Sequence, residues 1–238
     1  MVNKNRLIIG LILISVISVI FYFKLDIFLI GLVFLLLIYD LIKSKIINTK
    51  KLFTIIFFYS IFLYTIYYFD FLNTTLIFVY ISSIIFSLIS DKFRRYFFAL
   101  SVLSNFIFFY LLLKLDSTLI YLIIFISFLN DTFAYIFGSF FKGPLIAPSI
   151  SPNKTWSGTL SSFFISFSIL LILDYNLFFS FIIAIALFFG DLYFSFIKRK
   201  FHIKDFSKVL ISHGGFLDRF DSVFPLVFLF YINYTYII

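Results

Sequence analysis

Carboxylates are scarce in this chain, and their spacing points to chemistry. All eleven acidic residues are Asp, with no Glu and no Gln. Asp218 and Asp221 stand three apart in Ser212-His213-Gly214-Gly215-Phe216-Leu217-Asp218-Arg219-Phe220-Asp221-Ser222, so a helix beginning near Leu217 projects both from one side of its first turn. Upstream, Gly190-Asp191-Leu192-Tyr193-Phe194-Ser195-Phe196-Ile197-Lys198-Arg199 places Asp191, Ser195 and Lys198 at i, i+4 and i+7, on one helix face. Asp191, Asp218 and Asp221 together form an all-oxygen donor set of the kind hard cations such as Mg²⁺ take. Lys198, Arg199, Lys200, Lys204, Lys208 and Arg219 surround them with positive charge suited to phosphate, and Asp205 follows Lys204 directly. Gly214-Gly215 permits close approach of backbone N–H groups to an anion. A solvated cytoplasmic loop explains the number of lysines, but not Asp218-Arg219-Phe220-Asp221 beside a glycine pair.

Two further polar elements lie upstream. An ionisable residue inside a membrane span costs about 2.5–3.5 kcal/mol at mid-depth, so it is a functional candidate by default. Asp131 shares a helix face with Ala134, Tyr135 and Gly138, and that face either receives a ligand or packs against a neighbouring helix. Residues 138–158 hold Gly143-Pro144 and Ser151-Pro152-Asn153-Lys154-Thr155-Trp156-Ser157-Gly158. Ser151 capping the next helix, with Pro152 at its first position, would turn an N-terminus and Lys154 toward an anion; a purely structural loop fits the same residues equally well. Asp40, in the last turn before the basic residues 43–51, is expected to play an interfacial, structural role.

The elements that carry these residues must live in lipid. The 238 residues are 63% hydrophobic and 13% charged, against about 45–50% apolar and about 25% charged for soluble domains; mean hydropathy is +1.15. The 41 Phe and 16 Tyr are spread through every apolar segment, as a coding bias would leave them. Absence of Cys excludes disulfides and thiolate metal sites. A span needs about 20 apolar residues, and cutting at charges and turn residues predicts nine, near 7–23, 27–42, 52–69, 71–90, 96–113, 118–137, 159–175, 177–197 and 222–237. The runs are apolar all round, unlike the alternating strands of a β-barrel. The expected fold is therefore an all-α, polytopic integral membrane helical bundle.

With the N-terminus inside, 17 of the 19 Lys and Arg fall on one side and only Lys24 and Lys114 on the other, which predicts a cytoplasmic N-terminus. The same charge favours anionic headgroups of the bilayer; nucleic-acid binding has no support. The first apolar run follows Lys4 and Arg6 without an A-x-A-like cleavage site and reads as an uncleaved helix. Residues 1–115 are expected to be scaffold and residues 116–238 the catalytic region, with cytoplasmic loops at 138–158 and 198–221.

At these residues the chain resembles the phosphatidate cytidylyltransferases, also called CDP-diacylglycerol synthases. That family's signature runs S-x-x-K-R-x(4)-K-D, a short spacer, then H-G-G-x-x-D-R-x-D. Ser195, Lys198, Arg199, Lys204, Asp205, His213, Gly214, Gly215, Asp218, Arg219 and Asp221 match it in order and spacing. Asp131-x-x-Ala134-Tyr135-x-x-Gly138 and Ser151-Pro152-x-Lys154-Thr155 match upstream elements. The chain departs where the family commonly has Lys at 153, Glu at 157 and Pro-Gly at 211–212; here stand Asn153, Ser157 and Ile211-Ser212.

The resemblance implies an integral membrane enzyme of a bacterial inner membrane that joins CTP and phosphatidate into CDP-diacylglycerol and pyrophosphate; that its site faces the cytoplasm is expected from the charge count alone. It implies Mg²⁺ on Asp191, Asp218 and Asp221, leaves room for a second cation such as K⁺, and assigns catalytic roles to these carboxylates with Lys198 and Arg219. Substrate contacts are expected from Asp131, Tyr135, Ser151, Lys154, Thr155, Ser195, Arg199, Lys204, Asp205, His213, Gly214 and Gly215. A homodimer is left open. Archaeol phosphate and polyprenyl phosphate remain alternative acceptors, since the motifs read phosphate and nucleotide rather than the tail. An ion-coupled transporter would show broken helices in two related halves, whereas polar residues cluster here in one half.

Overall fold

A computed structural model describes residue 15 and residues 19–20, 22–68, 72–210 and 214–236. The expected first span, 7–23, therefore falls largely outside the described residues, as do Asp70, Ile211, Ser212 and His213. The helices are α1 (Asp26–Lys43), α2 (Thr49–Tyr68), α3 (Leu72–Ile89), α4 (Arg94–Leu115), α5 (Ser117–Phe141), α6 (Trp156–Ile172), α7 (Leu177–Lys200), the single turn α8 (Leu217–Phe220) and α9 (Val223–Tyr236). Among the described residues α2, α3, α4, α5 and α7 are long and apolar enough to cross a bilayer, with α6 and α9 as shorter apolar helices. These helices define a polytopic membrane fold. The region 138–158 departs from an all-helical reading: β1 (Leu145–Ala147) and β2 (Ser151–Thr155) form an antiparallel hairpin.

The chain divides into two compact units, Met1–Tyr110 with Asp205–Leu217, and Leu111–Lys204 with Asp218–Ile238. In the first, α1 buries Leu29, Val33, Leu37 and Leu41, one stripe at the four-residue spacing of a helix face. Phe206 stacks on Phe98 of α4 with ring centroids 5.6 Å apart. Polar side chains join the helices where lipid cannot satisfy them: Tyr59 and Ser104 share a 2.7 Å hydrogen bond, and Asn105 donates to the Tyr80 hydroxyl at 3.3 Å. Arg94 closes the α3–α4 turn, donating to the carbonyls of Ser87 and Leu88 and pairing with Asp91. Its guanidinium thus occupies carbonyls that the end of α3 leaves without helical partners.

In the second unit, glycines set the helix spacing. A Cβ on Gly158 of α6 would lie 2.5 Å from the Ala134 carbonyl and 3.1 Å from Gly138 Cα, both on α5. The small-residue face around Asp131 thus receives α6 at Ala134 and Gly138. Gly158→Ala is expected to force the backbones apart and destabilise the protein by about 1–3 kcal/mol, read as a lower thermal midpoint in detergent. The same unit is tied by a 2.5 Å hydrogen bond between Ser127 and Ser222 and by Ser166 donating to Asn130 at 3.3 Å. Phe194 of α7 packs edge-on against Phe224 of α9 at 5.0 Å.

Candidate active site

Residues 151–158 do not form a cap at Ser151. Ser151 and Pro152 lie in β2, and α6 starts at Trp156 with Thr155 as its N-cap, the Thr155 hydroxyl accepting the Gly158 N–H at 3.3 Å. The physical reason lies in the chain around Thr155: Trp156 N–H donates back to the Pro144 carbonyl at 3.1 Å and Ser157 Oγ to the Lys142 carbonyl. These bonds close the hairpin and hold residues 151–155 extended. Proline is tolerated there because a two-stranded hairpin leaves half of its N–H groups outside the ladder.

The hairpin delivers Lys154 to α7. Its ammonium pairs with Asp191 Oδ2 and lies 5.6 Å from the Phe188 ring centroid. Ser195 donates to the other oxygen of Asp191 at 3.4 Å. Lys198, on the same face, turns away from Asp191 and pairs with Asp218 Oδ1 at 2.7 Å. Both partners are well shielded, with side chains 14% and 4% exposed, so screening by solvent is weak at this pair. Arg199, expected on phosphate, donates from Nε to the Ile150 carbonyl at 3.0 Å and fastens the hairpin turn to the end of α7.

Asp221 follows α8 directly. It is buried, and its carboxylate accepts the Ser222 N–H at 2.8 Å. Burial first, then the neighbouring carboxylates of Asp191 and Asp131, push the Asp221 carboxyl well above the usual range, while Lys198 and Arg219 pull it down. Asp131, Asp191 and Asp221 are thus electrostatic neighbours within this unit. Gly190 makes the approach feasible: a Cβ there would stand 2.6 Å from the Asp221 carbonyl and 2.7 Å from Cγ of Pro225.

Other expected residues are placed less centrally. Tyr135, Lys204, Asp205 and Arg219 are exposed, and His213 lies outside the described residues. Gly214 has a φ of +80°, a conformation that favours glycine. Gly214 and Gly215 fold with the other unit, where the carboxylate of Asp40 reaches the turn at Leu217 N–H. Among the described residues no three carboxylate or imidazole groups stand close enough to form a metal cage. Sequence reasoning missed the Lys154–Asp191 pair, the role of Gly190 and the reach of Asp40. Of these, only Gly190 carries a local signal, as a glycine directly before an intramembrane carboxylate.

Fold and site define a polytopic helical membrane protein whose polar centre combines three neighbouring carboxylates with paired lysines. The chain matches the Cytidylyltransferase family over residues 4–237 and belongs to it. It is 42% identical over 109 residues to the phosphatidate cytidylyltransferase of Rickettsia prowazekii (strain Madrid E), covering 39% of this chain and 48% of that one. It is 40% identical over 133 residues to the phosphatidate cytidylyltransferase of Aquifex aeolicus (strain VF5), with 52% and 50% covered. With that of Staphylococcus aureus (strain COL) it shares 38% over 115 residues, covering 43% and 44%. The chain spans about half the length of the curated relatives it matches.

Proposed function

We propose that this protein transfers the cytidylyl group of CTP to phosphatidate, giving CDP-diacylglycerol and pyrophosphate. The observation that carries this reading is the pairing of Lys154 with Asp191 and Lys198 with Asp218 around buried Asp221, on the signature residues of a cytidylyltransferase. A lipid phosphate oxygen attacks the α-phosphorus of CTP; the new P–O bond forms as the bond to the β-phosphate oxygen breaks, and pyrophosphate leaves with that electron pair. The nucleophile is largely anionic at neutral pH, with a second phosphate pKa of about 6, so the reaction needs no strong base. Its difficulty is the meeting of two polyanions.

Lys154 and Lys198, with exposed Lys204 and Arg219 nearer solvent, supply charge for the phosphates. The chemistry of the carboxylates suits Mg²⁺, which takes oxygen ligands, but here Lys154 and Lys198 occupy Asp191 and Asp218 and no three described carboxylates form a cage, so a cation would displace those ammonium groups. Asp191, Asp218 and Asp221 would hold it, and it would supply charge neutralisation on the phosphates. The site faces the cytoplasm in this reading, because the basic residues gather on that side of the predicted spans.

The test is purified protein in vesicles with CTP, MgCl₂ and a panel of lipid phosphates. Pyrophosphate release that depends on phosphatidate and is abolished by EDTA is expected. Turnover only with archaeol phosphate or polyprenyl phosphate would replace the acceptor, and solute uptake without CTP turnover would replace the enzyme with a transporter.

A further inference from the structure

Asp40 reaches across the sequence to the start of the signature helix. It is fully buried near the end of α1, and its Oδ2 accepts the Leu217 N–H at 2.7 Å. Leu217 opens α8, and the first N–H groups of a helix have no partner within it. An N-cap side chain normally takes one of them, but Phe216 at that position carries no acceptor. The acceptor comes instead from a residue 177 positions earlier.

The glycine pair is shaped around the same carboxylate. A Cβ on Gly215 would sit 2.5 Å from Asp40 Oδ2 and 2.9 Å from Ser207 N and Oγ. Gly214 supplies the positive φ, and its carbonyl accepts the Leu210 N–H at 2.9 Å. The two glycines therefore do separate work: one turns the chain, and the other admits the Asp40 carboxylate.

We propose that Asp40 is a positioning residue that caps α8 from a distance and fixes the conformation of the turn at residues 214–217, from which the chain runs into Asp218. For its catalytic consequence this rests on the cytidylyl transfer proposed above. Asp40 holds the Leu217 N–H and Asp218 is the next residue in the chain, so freedom at Leu217 passes through the backbone to Asp218.

The experiment compares wild type, Asp40→Ala and Asp40→Asn in lipid vesicles by two readouts. Hydrogen exchange over residues 214–221 needs no turnover. Losing a helix cap is expected to speed exchange in Asp40→Ala by roughly five- to thirtyfold, while Asp40→Asn, which keeps an oxygen acceptor, stays close to wild type. In the CTP assay, with rates normalised to folded protein, Asp40→Ala is expected to lower kcat and raise the Mg²⁺ concentration for half-activation, leaving KM for phosphatidate unchanged and Asp40→Asn largely restored. A purely structural role would reduce the amount of folded protein without moving the Mg²⁺ midpoint. Exchange in Asp40→Ala within twofold of wild type, or equal damage in both variants, overturns the proposal; so does faster exchange with unchanged kcat and Mg²⁺ midpoint in an active enzyme. If the wild type turns over no CTP, the proposed function fails, and the exchange comparison still decides whether Asp40 holds the turn. Asp40→Ser replaces the alanine variant if that protein does not accumulate in membranes.

Discussion

Asp218→Asn is expected to lower CTP turnover by roughly 10²-fold or more while leaving the helices assembled. Asn matches Asp in shape and keeps an oxygen for the Lys198 ammonium, which lies 2.7 Å from Asp218 Oδ1, so the packing and the hydrogen bond are kept while the charge pair is lost. Chemistry loses a full negative charge and a strong oxygen donor at the head of the Asp218–Asp221 turn. The ammonium left behind is only 14% exposed, and a shielded cation that has lost its carboxylate lowers its cost by drifting to other anions. Asp221 is one such anion, since Lys198 already acts on it electrostatically. The measurement is kcat in vesicles beside a thermal unfolding curve. A charge-swapped protein, Lys198→Asp with Asp218→Lys, separates the two roles: an ion pair needed only for stability would be restored with activity, whereas a carboxylate needed at position 218 would not. Full activity in Asp218→Asn, or recovery in the swap, would sink the assignment.

Gly190→Ala is the second large effect, and its size differs between stability and activity. The added methyl would meet the Asp221 carbonyl at 2.6 Å and the Pro225 ring at 2.7 and 2.8 Å. Neither obstacle can rotate away, because one is backbone and the other is a ring fixed to it. Residues 221–225 must retreat from α7. Overpacking of this kind costs about 1–3 kcal/mol, but alanine is about 0.8–1.0 kcal/mol better than glycine inside a helix, so the thermal midpoint falls modestly. Catalytic geometry has no such offset. A displacement on the order of 1 Å at reacting groups costs about 10²-fold, and the displaced segment carries Asp221. Gly31→Ala is the control: nothing lies within 4 Å of its added methyl, so it is expected to retain full turnover and to gain a little stability. A Gly190→Ala enzyme with wild-type kcat would show that the tight approach of the two segments serves packing alone.

Much of this architecture was legible because membrane helices announce themselves through unbroken apolarity. Helices α2 to α5 and α7 fall on five of the expected spans. Intramembrane Asp131 and Asp191 stood out for the same reason. What stayed hidden depends on contacts between distant residues. The Ser151-Pro152 pair imitates a helix start, and the competing signal, Thr155 with Gly158 three residues on, succeeds because the hairpin bonds at Lys142 and Pro144 hold the preceding strand extended. Asp40 reads as interfacial because nothing near it in sequence reveals a partner 177 positions away. Lys198 shares a helix face with Asp191, yet pairs with Asp218; a shared face brings side chains near one another without deciding which contact is made. The glycine pair invited an anion, and a carboxylate from the protein itself lies against Gly215.

Because Lys154 is matched to Asp191 and Lys198 to Asp218, each pair is close to electrically silent at a distance. An incoming nucleotide about one Debye length away senses little of either lysine. On the proposed function, the attraction that guides it arises from exposed cations of the same unit, Lys204 and Arg219. Capture and grip are therefore assigned to different residues. Added salt should slow the encounter through the exposed set, while the hold on bound phosphate, built from shielded lysines, should vary far less.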